Sequence, residues 1–83
     1  MNQVQFADFP NIVADIEYCD GQPRIKNTRI TVTALLSYIA GGMSVDELLI
    51  EFPTLNREAI LQSLAFASAE LQVRYLPLKR YAA

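Results

Sequence analysis

Residues 31–71 carry one apolar rhythm three times over, and each time a helix-ending signal cuts it off. Val32, Leu35, Leu36 and Ile39 stand at i, i+3, i+4 and i+7, which is one face of an α-helix. Thr31 precedes them as a cap and Gly41-Gly42 closes them. Val45, Leu48, Leu49 and Phe52 repeat the spacing behind Ser44-Val45-Asp46-Glu47, a capping box, and Pro53 ends that run. Asn56 caps a third run lined by Ile60, Leu64, Ala67 and Leu71, and Pro77 predicts its end between 69 and 75. Three short helices joined by tight turns dominate any fold this chain can adopt.

The segment before them reads differently. Residues 1–11 read as an irregular lead-in ending near Pro10-Asn11. Ala14, Ile16 and Tyr18 alternate with Asp15 and Glu17, as in a half-buried strand. Cys19-Asp20-Gly21-Gln22-Pro23 is a turn. Arg24-Ile25-Lys26 makes a second strand with Ile25 inward and its cations outward. A hairpin over residues 14–26 is expected, its pairing open to completion by a second copy. Asn27 tolerates left-handed backbone and makes the bend into the helices. The chain is then one domain: lead-in 1–13, hairpin and bend 14–30, three-helix core 31–72 and tail 73–83. The expected fold class is mainly α, a helix-turn-helix domain with a short N-terminal β-hairpin.

Eighty-three residues bury one modest core. The 52% apolar share exceeds what that core needs, so a homodimer is expected. No apolar run is long enough to cross a membrane and the first ten residues resemble no signal peptide, which fits a cytoplasmic protein. The chain has no histidine, one cysteine (Cys19) and no phosphate-cradling glycine loop. Asp46 and Glu47 fit the first turn of a helix, where negative charge suits the dipole, better than acid–base work or a cation site with Glu51. No catalytic residue, metal or cofactor is expected.

The charge of −2 hides segregation. Residues 21–32 hold Arg24, Lys26 and Arg29 with no acid, and residues 71–83 hold Arg74, Lys79 and Arg80 with none. Two sites follow. Arg24, Lys26, Thr28 and Arg29 can contact DNA phosphates, while Arg57 and Gln62 are the polar groups of the third helix best placed for base edges. Against this, Arg57 is that helix's only cation in residues 56–70, offset by Glu58, and the rest of it suits packing, with Phe66 and Ala69 facing a second subunit. Without any DNA contact, Ile25, Ile30 and Val32 would dock the hairpin on the helices, and Arg29 would tie helix carbonyls or the acids near Asp46. The second site is the tail, where Arg74, Tyr75, Leu76, Leu78, Lys79, Arg80 and Tyr81 alternate apolar, aromatic and cationic groups suited to a protein partner.

The motifs G-x-P-x-I-x-x-T-R-I-x-V (21–32), G-x-S-x-x-E-L (42–48), F-P-x-L-x-x-E-x-I (52–60) and L-A-F-A (64–67) resemble the bacterial "domain of unknown function 433" family over about residues 15–68. The resemblance implies a homeodomain-like three-helix fold after a short hairpin. It also implies a role as a VapB-like antitoxin, since members are often encoded beside a toxin with a PIN-type nuclease fold. An antitoxin tail would set an arginine against the toxin's carboxylates, and the antitoxin would bind its own operator DNA. The alternatives are a DNA-binding regulator without a toxin and a protein-interaction module that binds no DNA. The family usually has Gly where this chain has Asn27, and both accept the same bend.

Overall fold

The computed structural model describes residues 3–82, with side chains as far as Val73. The three helices form where their caps stand. Thr31 Oγ1 accepts from the Ala34 amide and opens α1 (Val32–Ala40). Ser44 Oγ accepts from the Glu47 amide at 3.1 Å and Glu47 Oε1 accepts from the Ser44 amide at 2.8 Å, opening α2 (Val45–Glu51) with both halves of the box. Asn56 Oδ1 accepts from the Ala59 amide at 2.8 Å and opens α3 (Arg57–Ala82). Gly42, with φ of 109°, takes the chain out of α1 through backbone that a side chain would strain.

The N-terminal third corrects the expected fold class. It holds three strands, not a lead-in and a hairpin: β1 (Gln3–Phe6), β2 (Phe9–Asp15) and β3 (Arg24–Ile25) make an antiparallel sheet in the order β1-β2-β3. The domain is therefore a three-stranded sheet packed on three helices, an α+β arrangement. The pairing partner that the hairpin lacked is β1 of the same chain, with Val4 opposite Ala14 and Gln5 opposite Val13. Ala7 and Asp8 form the tight turn between β1 and β2, and a bulge follows Gln5. β2 ends at Asp15, so the expected alternation through Tyr18 fails: Ile12 and Val13 are buried while Ile16 is 73% exposed.

The core joins both layers through Ile12, Ile25, Val32, Leu35, Leu48, Leu55, Ala59, Ile60 and Phe66. Phe66 does not face a second subunit. Phe6 and Phe9 meet its ring edge-on, with centroids 4.9 and 5.5 Å away, a geometry that aromatic quadrupoles favour. The sheet closes over α3 by this contact and by Gln62, whose Oε1 accepts from the Asn11 amide at 2.8 Å.

α3 is also longer than expected. It runs past Pro77 to Ala82, although proline removes one hydrogen bond of the helix there. Its buried stripe stops early: Phe66 is buried and Ala67 touches the core, but Leu71 and Val73 are 53% and 76% exposed. Residues 68–82 continue the helix for roughly 22 Å beyond Ala67.

Candidate functional site

Asp20-Gly21 does turn the chain, and it does so through left-handed backbone. Cys19, Asp20 and Gly21 have φ of 53°, 56° and 77°. The turn throws Tyr18 back over the start of β3. A second reversal follows at once, since Asn27 takes φ of 65° as its side chain permits. Thr28 fixes that loop: its hydroxyl donates to the Ile25 carbonyl at 2.8 Å and accepts from the Ile30 amide at 3.0 Å. The Ile25 amide donates to the Ile30 carbonyl and the Val32 amide to the Pro23 carbonyl, which ties the loop to the entry of α1.

Between the two reversals lies a cleft of about 560 Å³. Tyr18, Arg24, Thr28 and Arg29 line it, with Gln3, Asn27, Ile30 and Thr54. Arg24 is buried, 6% exposed, although the sequence pattern expects it to point outward. The reason is Tyr18: the Arg24 guanidinium carbon lies 4.4 Å from the centre of its ring, a cation–π contact strengthened by exclusion of water. Arg24 Nη1 donates to the Thr28 carbonyl at 3.3 Å, and its buried Nε–H has no acceptor. Arg29 is exposed and shares the same ring, 5.0 Å from its centre, while its Nε donates to the Tyr18 hydroxyl at 3.0 Å. It ties neither helix carbonyls nor the acids near Asp46.

The cations expected to grip DNA therefore divide. Arg24 lies inside the cleft and Arg29 at its wall, Thr28 serves the loop, and Lys26 is exposed beyond them. Arg57 is elsewhere and engaged: its guanidinium pairs with Asp46, joining the starts of α2 and α3. Gln62 is engaged twice, by the Asn11 amide and, through its own Nε2, by Glu58 at 3.4 Å. The two proposed readers of base edges thus work inside the fold. The side chains of Arg74, Tyr75, Leu76, Leu78, Lys79, Arg80 and Tyr81 lie outside the described residues.

A second feature flanks α3 where it leaves the core. Pro23, Val32, Leu36, Phe66, Ala67 and Leu71 line an apolar groove of about 280 Å³. Leu71 in its lining is half exposed. Among the described residues no group of three or more His, Cys, Asp or Glu side chains is arranged to hold a metal, and no helix is long and apolar enough to cross a membrane. Sequence reasoning missed Tyr18, Gln3 and Thr54 as members of the cleft. Tyr18 carried no signal of its own, because only the left-handed turn brings it over Arg24.

Comparison with solved structures finds a crystal structure of a "duf433 member protein" from Anabaena variabilis ATCC 29413, with a TM-score of 0.71 and 32% identity over 75% of this chain. The match spans 61% of that protein's length. A comparison with curated proteins finds no match. Residues 12–67 match the family described as "Protein of unknown function (DUF433)", a stretch that begins in β2, contains the whole cleft turn and ends as α3 leaves the core. With two thirds of its length under that match, and the same fold in a solved member, the chain belongs to the DUF433 family.

Proposed function

We propose that this protein is a binding protein rather than an enzyme: the antitoxin of a toxin–antitoxin pair, holding a PIN-type nuclease through the distal half of α3. One observation carries the reading. α3 continues for roughly 22 Å beyond Ala67, and Leu71, which lines the apolar groove beside Phe66, is exposed, as is Val73. Exposed apolar side chains on a helix of this length suit docking into another protein's groove. The sequence beyond Val73 adds Arg74, Lys79 and Arg80 with no acid, which complements the carboxylates of a PIN-type site.

The engagement of Arg57 and Gln62 favours protein binding over base readout. Operator binding is the subordinate half of the reading. It rests on exposed Lys26 and Arg29, which would contribute phosphate contacts and salt dependence without sequence preference. A homodimer belongs to the same reading, supported by exposed Ile16 and Ile50, and light scattering at micromolar concentration reads it directly.

The test is genetic and then physical. A small PIN-type nuclease encoded beside this chain should arrest growth when induced alone. Co-expression of this chain should restore growth, and the two proteins should co-purify. A neighbouring nuclease that stays toxic and unbound beside full-length chain refutes the reading.

A further inference from the structure

The cleft at Tyr18 is not explained by the partner surface on α3, and its chemistry is one-sided. Two guanidiniums, 4.4 and 5.0 Å from the centre of the Tyr18 ring, line this one cleft, so both are open to a ligand that enters it. Among the described residues the ion pair formed is Arg57–Asp46, and the one carboxylate beside these cations, Glu17, lines the adjoining cleft on the Arg29 side rather than this one. Arginine cannot shed its proton to relieve this. Its burial is costly unless an opposite charge or a full set of acceptors compensates it. Arg24 has the Thr28 carbonyl for one N–H and the Tyr18 ring for its face, yet its Nε–H is buried without an acceptor. A purely structural arginine at this turn would need only what the loop already gives it. What that N–H lacks is an acceptor, and an anion in the cleft would supply one.

The lining says which anion. Arg24 and Arg29 together match a dianion, and a monocarboxylate needs only one of them. Gln3, Asn27 and Thr54 bring neutral donors to the same cleft for further oxygens. About 560 Å³ is far more than a bare phosphate fills, and falls in the usual range of small-molecule sites. We propose that this cleft binds a phosphate monoester, its phosphate held between Arg24 and Arg29 and its organic body against the Gln3, Asn27 and Thr54 side.

The test uses full-length protein in phosphate-free buffer and follows the arginine Nε–Hε signals by NMR, with inorganic phosphate, ribose 5-phosphate, acetate and a short DNA duplex as probes. Ribose 5-phosphate should shift the Arg24 and Arg29 signals together and saturably, with at least tenfold lower Kd than inorganic phosphate. Acetate at equal ionic strength should leave them in place. Arg29→Gln, at an exposed position that should not disturb folding, should weaken the ester at least tenfold, and Arg57→Gln should not weaken it. Equal shifts with acetate would show general charge screening and overturn the proposal. So would a duplex that binds while both phosphates fail, since the site would then be a backbone-tracking surface. An unchanged Kd in Arg29→Gln overturns it as well.

Discussion

Asn27 shows how one residue sets the geometry of the cleft. Its φ of 65° lies where a side chain is disfavoured unless it is Asn, Asp or Gly. The bend it makes sends Thr28 and Arg29 back toward Tyr18 and lets Thr28 close the loop on Ile25 and Ile30. Asn27→Ala should lower stability by about 1 kcal/mol through the backbone alone, while Asn27→Gly should lie within about 0.5 kcal/mol of the parent. Chemical denaturation of the two variants checks this. Equal losses in both would place the effect in the asparagine side chain, not in the bend.

At the scale of elements, helix starts were legible in the sequence and sheet strands were not. Ser44 and Glu47 announce α2 because a capping box is local chemistry within four residues. The Ser44 amide and, after it, the Ser44 hydroxyl hold the Glu47 carboxyl below its ordinary value of 4.5. A depressed carboxylate stabilises the fold above its unfolded value, and that contribution fades as pH falls through the lower folded value. Glu47→Gln keeps the hydrogen-bonding shape without the charge, so its stability should vary less than the parent's between pH 6 and pH 3. Thermal melts at both ends of that range measure the difference, and parallel pH dependence in the two proteins would contradict it. β1 stayed hidden although Val4 and Phe6 alternate with Gln3 and Gln5, because Pro10 inside β2 reads as a strand breaker. The Gln62 contact is long-range, joining residues 51 apart in sequence, and no local pattern encodes it. Removing it with Gln62→Ala leaves the Asn11 amide without its acceptor and should cost about 1 kcal/mol. A stability loss with DNA affinity unchanged is expected, and the reverse result would restore Gln62 as a base reader.

For the whole molecule, the sequence showed how much apolar surface there was but not where it went. The excess that seemed to call for a second copy is partly spent within the chain, where Phe6 and Phe9 cover Phe66. Part of what remains lines the groove from Pro23 to Leu71, and part is scattered at exposed positions such as Ile16, Ile50, Leu71 and Val73. The expected end of α3 before Pro77 failed: the helix runs on through it to Ala82, since proline weakens a helix locally without always ending it. The resulting shape, a folded body with an outgoing helix, is the central claim, and a chain ending at Leu71 tests it most directly. Among the described residues every buried residue of the core lies at or before Phe66, so the shortened chain should melt within a few degrees of the parent. In calorimetric titration against the neighbouring nuclease it should lose at least a hundredfold in affinity, about 2.7 kcal/mol. A shortened chain that folds and binds the nuclease as tightly as the full one would contradict the claim.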